Sequence, residues 1–339
     1  MAKIQVDTNN KAIMLNNKAL LAQEFIGIPR EVSNGTIQLI QANHAYTIPD
    51  NVTNMGGYAY FYAFYADKKL TSFNSNNVET ISGVYGMTYA CQSATGLTTV
   101  DMSNLTSITG TQGMANAFYG CTALTNVDLS SLTTASGGNV MSACFRGCTA
   151  LTELNFPSLV TINGSNAFSG ICNACTNLVT FSLPNVTTIT GTNAMLNAFQ
   201  NNTSLVNISF PKLKTIGTNN STANYGQMSG IFNGCTQITT MTFPELEKIY
   251  CTGGTNVTYG SFANNTYIQK LYFPKLDTIT YGAGASSGNR NACKNVFAGC
   301  TALTELHFAS ANQSAIEASD GYSTAWGRGA GNVTIYFDL

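Results

Sequence analysis

Cysteine is the residue type with the most potential chemistry in this chain, which carries ten of them. Thiolates bind zinc, form disulfides and act as nucleophiles. The closest pairs are Cys144 with Cys148 and Cys172 with Cys175, but a structural zinc site needs a second pair at finger spacing, which the chain lacks. Five cysteines instead recur at one position of a repeat, where two sister units carry asparagine. These seven residues, the thiol ladder, are Cys121, Cys148, Cys175, Asn202, Cys235, Asn265 and Cys300. We interpret the ladder as structural and predict that its cysteines are free thiols.

Histidine is scarce, with His44 and His307 as the two copies. A Ser-His-Asp or Cys-His-Asn site needs groups that converge in space, and no spacing in the chain brings a histidine together with such partners. We predict that His307 is an exposed strand residue. The glycine runs at 282–284 and 327–331 do not match a phosphate-binding or dinucleotide-binding pattern. The residues therefore predict a protein that is not an enzyme, with no catalytic residue and no cofactor.

Asp101, Asp128 and Asn155 form a third candidate group, spaced 27 residues apart. If they occupy the same place on three adjacent parallel strands, about 4.8 Å separates neighbouring residues. Side by side, they could hold a cation or the hydroxyl groups of a sugar. The alternative is a row of solvated polar groups that keeps a flat sheet from aggregating. We take the three as candidate ligand-binding residues, and both interpretations stay open at this point.

These positions belong to an internal repeat that runs through most of the chain. Each unit is anchored on its first aliphatic residue, and the anchors are Leu70, Leu97, Leu124, Leu151, Leu178, Leu205, Ile238, Ile268 and Leu303. The first five separations are 27 residues each and the last three are 33, 30 and 35, which we interpret as insertions into one unit. Apolar residues recur three, eight and eleven positions after the anchor, and six and ten positions before it. Such columns predict inward-facing ladders in a stacked solenoid, because one unit cannot bury its apolar side alone.

Each unit begins with alternating apolar and polar residues, as in residues 151–156, which predicts a strand with one buried face. In five units a proline follows this strand at one fixed position and ends the hydrogen-bonded ladder. Residues 193–199 have apolar spacing closer to a helical turn, which predicts a short α or 3₁₀ segment. The predicted fold class is a right-handed repeat solenoid of nine units, with one parallel sheet and short α or 3₁₀ segments.

The repeated pattern Ala-Phe-x-Gly-Cys-x-x-Leu, continued by Pro-x-Leu-x-x-Ile, resembles the BspA-type leucine-rich repeat of Treponema and Bacteroides proteins. The resemblance covers about residues 57–310, although the unit of 27 residues is longer than is usual in that family. It implies a leucine-rich-repeat-like solenoid and a surface-associated or virion-associated binding protein. In such repeats cysteine and asparagine interchange at the ladder position because both satisfy backbone groups of the turn, which agrees with the structural interpretation of the thiol ladder.

The two ends of the chain, residues 1–56 and 311–339, do not fit the repeat. Residues 32–37, Val-Ser-Asn-Gly-Thr-Ile, predict a hairpin with an Asn-Gly turn, and residues 13–20 predict a second one. We predict that residues 1–56 form a small β-rich cap or anchoring module and that the solenoid occupies residues 57–310. Residues 311–318 predict a helix, and residues 333–339 alternate as a terminal strand. This C-terminal cap would cover the open end of the sheet.

The composition excludes several classes of function. Charged residues make up 9% of the chain and the net charge is −1, so the basic surface of a nucleic-acid-binding protein and a polybasic membrane patch are both missing. No stretch reaches the roughly 20 apolar residues of a transmembrane helix, and the N-terminal residues show no apolar signal-peptide region. We predict an adhesive or structural protein on a phage virion surface, such as a fibre or decoration protein. It would join the particle through residues 1–56 and face a cell-surface protein or glycan. The alternative is a cellular surface adhesin of BspA type that binds host or matrix ligands.

Overall fold

The computed structural model describes residues 45–48, 50, 52–218, 226–251, 261–281, 295–319, 322–327 and 332–339, and also the backbone of five strands between residues 4 and 41. The strands β1 (Ile4–Asp7), β2 (Ala12–Leu15) and β3 (Lys18–Ala19) form an antiparallel sheet, and β4 (Gly27–Ser33) and β5 (Thr36–Gln41) form a hairpin. Ser33 pairs with Thr36 across the predicted Asn-Gly turn, and Met14 pairs with Ala19. Both predicted hairpin pairings are therefore present.

The rest of the chain carries its strands in two parallel ladders. The first ladder contains three sheets. They are β6 (Ala45–Thr47), β8 (Ser72–Asn74), β10 (Thr99–Asp101) and β12 (Asn126–Asp128), then β14 (Glu153–Asn155), β16 (Thr180–Ser182) and β18 (Asn207–Ser209), then β20 (Thr240–Thr242), β22 (Lys270–Phe273), β24 (Glu305–Phe308) and β25 (Thr334–Phe337). Neighbouring strands pair in register at the buried residue three positions after the anchor, as Phe73 does with Val100. The predicted strand of each unit is confirmed.

The second ladder is a single sheet of nine strands. They are β7 (Asn54–Met55), β9 (Thr80–Ile81), β11 (Ser107–Ile108), β13 (Thr134–Ser136), β15 (Thr161–Asn163), β17 (Thr188–Thr190), β19 (Thr215–Ile216), β21 (Lys248–Cys251) and β23 (Thr278–Tyr281). The expectation of one parallel sheet is therefore wrong. These strands are two to four residues long, and most contain one buried residue, such as Ile108 in β11. Two or three residues are too few to show the alternation that predicts a strand.

The solenoid begins before the boundary predicted at residue 57. β6 pairs in parallel with β8, placing Tyr46 opposite Phe73, and β7 pairs with β9, placing Met55 opposite Ile81. Ile48, between these two strands, is fully buried. Residues 45–56 thus add the first strand to each ladder, although they lack the repeat motif.

The apolar columns form one continuous core along the solenoid. All nine anchors are buried, with at most 4% of any residue exposed. The column six residues before the anchor is also buried throughout, and its aromatic rings stack between coils, as Phe118 does on Phe145 at a centroid distance of 5.5 Å. Because every coil repeats the same column, each buried side chain is covered by its equivalent in the next coil.

The segment before each anchor forms a hydrogen-bonded ladder of turns, which we call the turn ladder. In residues 193–201, Asn193, Asn197 and Asn201 have φ values of 54°, 52° and 64°. Met195 donates its N–H to Gln227 O in the next coil at 2.7 Å, while Leu196 donates to Asn193 O within its own coil at 3.0 Å. An α-helix or a 3₁₀-helix would use both N–H groups within the segment, whereas here the N–H of Met195 bonds outside it. The predicted helical segment at 193–199 is therefore wrong, because bonds between coils replace bonds within a helix.

The C-terminal cap follows the predicted order. A 3₁₀ turn (Ser310–Asn312) leads into the helix α1 (Gln313–Glu317), and a second 3₁₀ segment (Tyr322–Gly327) precedes β25. β25 pairs in parallel with β24, placing Ile335 opposite Leu306. Trp326, in the second 3₁₀ segment of the cap, is fully buried, and its ring lies 5.9 Å from the ring of Phe308. The predicted terminal strand is confirmed. In the described part of the chain, no helix has the length and apolar character needed to cross a bilayer.

Candidate functional site

The outward side of the first ladder presents two columns of side chains, which we call the strand face. They flank the buried column, so they point away from the core. The first column is Ser72, Thr99, Asn126, Glu153, Thr180, Asn207, Thr240, Lys270, Glu305 and Thr334. The second column is Asn74, Asp101, Asp128, Asn155, Ser182, Ser209, Thr242, Tyr272, His307 and Tyr336. Most of these groups are uncharged hydroxyls and amides.

Asp101 and Asp128 stand side by side in register on β10 and β12, as the 27-residue spacing predicts. Each carboxylate also accepts a hydrogen bond from a nearby backbone N–H. Asp101 Oδ1 accepts the N–H of Ser103 at 3.0 Å, and Asp128 Oδ1 accepts the N–H of Ser130 at 2.9 Å. This side chain-to-backbone bond, two residues on, is typical of an Asx turn. In each carboxylate, Oδ1 therefore accepts a hydrogen bond that stabilises the turn at the end of the strand.

Asn155, the third candidate residue, is arranged differently. It lies on β14, which belongs to a different sheet from β12, and its Nδ2 donates to Glu153 Oε1 at 2.5 Å. The structure thus brings Asp101 and Asp128 together and gives Asn155 a separate set of contacts. Within the described residues, no group of three or more Cys, His, Asp or Glu side chains is placed to hold a metal ion. The role of Asp101, Asp128 and Asn155 in ligand binding stays a prediction.

At the C-terminal end of the strand face, His307 lies between two tyrosine rings. Its ring stacks on Tyr272 at a centroid distance of 4.3 Å and on Tyr336 at 4.6 Å. Only 7% of the residue is exposed, so the prediction that His307 is an exposed strand residue is wrong. The reason is that β25 adds Tyr336 to the same column and covers the imidazole. His44 and residues 282–284 lie outside the described residues.

Both ring nitrogens of His307 lie within hydrogen-bonding distance of a carboxylate. Nδ1 lies 2.9 Å from Asp338 Oδ1, and Nε2 lies 3.1 Å from Glu305 Oε2. Lys270 Nζ pairs with the same Glu305 oxygen at 3.0 Å. The Lys270 ammonium, and secondly the imidazole, lower the pKa of Glu305 below its ordinary value. The imidazole therefore joins β25, the closing strand, to β24. Among the described residues it contacts carboxylates and tyrosines rather than a serine or cysteine nucleophile.

The thiol ladder connects successive coils. The Sγ atoms of Cys148, Cys175 and Cys235 donate to the carbonyl oxygens of Phe118, Phe145 and Phe199 at 3.2, 3.0 and 2.9 Å. Cys121 and Cys300 make the equivalent bonds to Cys91 O and Phe262 O, each at 3.1 Å. Burial raises the pKa of Cys121 and of Cys235 to about 12. All eight cysteines whose side chains are described are buried, and the five cysteines of the thiol ladder each donate to a backbone carbonyl, which agrees with the prediction of free thiols.

The two asparagines of the thiol ladder differ from each other. Asn265 Oδ1 accepts the N–H of Phe232 at 2.8 Å, and its Nδ2 donates to Phe262 O at 2.7 Å. Asn202 is fully buried, and neither amide atom of its side chain has a hydrogen-bond partner among the described residues. Asparagine can therefore replace the thiol and bond backbone groups of two coils, as at Asn265.

The second ladder carries a polar column that the predicted strands did not include. Six hydroxyl residues lie in register on adjacent strands, namely Thr80, Ser107, Thr134, Thr161, Thr188 and Thr215. They all lie ten residues after their anchor, next to the isoleucine column. The recurrence of Thr or Ser before that column is the signal that could have revealed this surface.

A known repeat family matches the central part of the chain. The family described as "BspA type Leucine rich repeat region (6 copies)" matches residues 111–224 and 174–289. No curated protein sequence matches the chain.

Two solved structures to which this chain is similar are leucine-rich repeat proteins. One, from Bacteroides ovatus, is 19% identical, with 83% of this chain and 74% of that chain covered and a TM-score of 0.36. The other, from Eubacterium ventriosum, is 15% identical, with 82% and 77% covered and a TM-score of 0.33.

Proposed function

We propose that this chain, which belongs to the BspA-type leucine-rich repeat family, is a non-enzymatic binding protein that adheres to a surface ligand through its strand face. The observation that carries the proposal is the strand face itself. It consists of two columns of outward side chains that are in register within each of the three sheets of the first ladder, most of them hydroxyls and amides. Its hydroxyl and amide groups offer similar polar contacts at successive strands.

The chemistry of the strand face favours weak, repeated contacts over one tight site. Near its centre, Thr180, Ser182, Asn207 and Ser209 are uncharged and lie on two paired strands. Such groups exchange hydrogen bonds with a ligand at little net gain over water. Affinity would then come from many copies of the protein that bind at the same time on one particle or cell. An extended ligand with repeated polar groups, such as a glycan or a surface protein, matches this arrangement.

A second part of the proposal concerns where the protein acts, on a cell surface or on a phage particle. Membership of the BspA-type family is compatible with a cellular surface adhesin that binds host or matrix ligands. A phage virion surface, with the protein as a fibre or decoration component, is the placement predicted from the sequence, and it stays a prediction. Labelling with antibodies against the folded chain separates the two, because label on purified particles supports the virion and label on intact cells supports the adhesin.

In either placement we propose that the N-terminal region attaches the protein to the larger assembly. The two antiparallel units of residues 4–41 differ from the parallel ladders of the solenoid, so repeat stacking does not account for them. β6 and β7 belong to the solenoid, so the attachment region is residues 1–44 rather than 1–56. Cross-linking of the intact assembly followed by peptide mapping should place the cross-links within residues 1–44. Cross-links confined to the solenoid would contradict this assignment.

The adhesive function can be tested with beads that carry the full-length chain. The beads would be passed over immobilised matrix proteins and glycans, and their retention measured. The double variant Ser182→Arg/Ser209→Arg places two bulky cations at paired positions of the strand face. The matched control, Thr188→Arg/Thr215→Arg, changes two paired positions of the second ladder.

We expect retention on at least one surface, with loss in the strand-face variant and no loss in the control. Retention on none of the surfaces would contradict an adhesive function. Equal retention by both variants would show that the strand face is not the binding surface.

A further inference from the structure

Six aromatic side chains form a cluster on the turn ladder of the first two coils. This aromatic patch consists of Tyr58, Phe61, Tyr62, Tyr65, Tyr85 and Tyr89. None of the six is buried, and Tyr58 and Tyr65 are 56% and 39% exposed. The patch is separate from the strand face, because it lies in the turn segments and the strand face lies on the first ladder.

The rings contact one another across the two coils. Tyr62 stacks on Tyr89 with a centroid distance of 4.7 Å and an interplanar angle of 14°, and Tyr58 lies 5.0 Å from Tyr85. Phe61 lies between these pairs, 5.5 Å from Tyr58 and 6.2 Å from Tyr89. The contacts hold the rings in fixed positions, so the patch is a preorganised surface rather than a set of independent side chains.

The backbone beneath the patch is unfavourable for aromatic residues. Tyr58, Tyr62, Tyr85 and Tyr89 have φ values of 58°, 55°, 58° and 57°. Bulky residues rarely adopt this left-handed conformation, whereas asparagine and glycine adopt it readily. The later coils mostly place such residues at the equivalent positions, which are Gln112, Asn116, Asn139, Ala143, Asn166, Gly170, Asn193 and Asn197. The solenoid therefore folds its turns without tyrosine, and its core does not require these partly exposed rings.

The patch also carries no charge. Residues 57–66 and 84–93, which hold all six rings, contain no Asp, Glu, Lys or Arg. The charged residues Asp67, Lys68 and Lys69 follow the first segment rather than lying within it. A neutral surface offers no electrostatic attraction to an acidic or basic peptide.

We propose that the aromatic patch is a binding site for a neutral polysaccharide. A tyrosine ring presents an apolar face and a polar hydroxyl, and a hexose likewise presents an apolar C–H face and a rim of hydroxyls. The apolar faces of successive sugar units would cover the exposed rings, and the phenol groups would exchange hydrogen bonds with sugar hydroxyls. The five tyrosines of the patch supply both kinds of contact, and the absence of charge matches an uncharged polymer.

Affinity electrophoresis of the full-length protein tests this site. Native gels would contain laminarin, mannan or dextran as neutral polymers and alginate as an anionic one. The variant Tyr58→Asn/Tyr62→Asn removes two rings and installs the residue found at the equivalent positions of later coils. The control variant Tyr267→Asn removes a 44% exposed tyrosine outside the patch.

We expect at least one neutral polymer to retard the wild-type protein and the control, and the patch variant to bind about tenfold more weakly or not at all. The unfolding midpoint of the patch variant should not fall. Three electrophoresis results would overturn the proposal. They are no retardation by any neutral polymer, equal retardation of the patch variant, and retardation by alginate alone.

A merely structural or self-associating patch gives a different result. A large fall in the unfolding midpoint of the Tyr58→Asn/Tyr62→Asn variant would show that the rings stabilise the first coils, and would contradict a binding role. Sedimentation would reveal a wild-type dimer that the variant abolishes if the patch contacts a second copy, which would also overturn the proposal. None of these outcomes depends on the strand face.

Discussion

The imidazole Nδ1 of His307 lies 2.9 Å from the carboxylate of Asp338, and this contact joins the last repeat strand to the closing strand. The two residues are 31 positions apart. Tyr336 stacks on the same imidazole, so the closing strand is held by a polar contact and a ring contact in addition to its backbone pairing. The end of the solenoid is thereby covered by a strand of its own chain.

Replacing Asp338 by Asn should loosen the closing strand. The carboxylate is about half exposed, so the loss in global unfolding free energy should stay below about 1 kcal/mol. Amide exchange of Thr334–Phe337 should become faster, because the end of the strand loses the contact between Asp338 and His307. Hydrogen exchange followed by mass spectrometry measures this, with Glu79→Gln, at an exposed carboxylate near β9, as control. Unchanged exchange in β25 would show that the His307 contact does not hold the strand.

Acid should weaken the C-terminal half of the solenoid. The Lys275 and Lys270 ammonium groups lower the pKa of Glu245 and Glu305, respectively. A carboxylate whose pKa is lowered by folding stabilises the protein above its ordinary pKa of about 4.3, and that contribution is lost as the pH falls through the folded value. Urea unfolding between pH 7 and pH 3 should therefore show a decline at the acid end. Lys275→Met should make that decline shallower, whereas Lys212→Met, which removes an amide contact, should not.

The ladder thiols should be inert in the native protein. Burial raises the pKa of Cys121 and Cys235 to about 12, so almost no thiolate is present near pH 8, and the side chains are also inaccessible. Ellman's reagent should react with them only at the rate of unfolding, and rapidly in denaturant without reductant. Fast reaction of several thiols in the folded protein would contradict the buried ladder.

Phe199→Ala should cost about 3–5 kcal/mol of unfolding free energy, as for a buried aromatic residue. Phe199 is fully buried, and its ring lies 4.5 Å from Phe181 and 6.0 Å from Phe232. Val206→Ala is the control, since Val206 is 49% exposed and should change stability by less than about 0.5 kcal/mol. Denaturant titration of both variants gives the comparison, and a cost below about 1 kcal/mol at Phe199 would show that this column is not core.

Gly164→Ala should destabilise the close approach of two coils. A Cβ at Gly164 would lie 2.3 Å from the carbonyl oxygen of Gly137, and the φ of Gly164 is +123°. The combined clash and strain should cost about 1–3 kcal/mol. Gly138→Ala is a matched control, because a Cβ there meets no atom closer than 3.9 Å. Equal stability of the two variants in thermal unfolding would contradict the close contact between these coils.

The repeat spacing and the chemistry of its apolar columns predicted much of this architecture. The anchors, the Phe column and the strand after each anchor are visible in the sequence because each unit repeats the same buried positions. The terminal strand was predictable from a different signal, because Ile335 and Phe337 alternate with Thr334, Tyr336 and Asp338. The adjacency of Asp101 and Asp128 followed from their identical place in neighbouring units.

Other features depend on hydrogen bonds between residues of different coils. Tyr62 N donates to Thr88 O at 3.2 Å, and bonds of this kind convert an apparent helical segment into the turn ladder. The burial of His307 likewise requires a closing strand that arrives from a distant part of the chain. Local spacing records which side chains are apolar, and so it reveals the core. Which backbone groups meet is decided when the coils stack, and that stacking produced the second ladder and the aromatic patch.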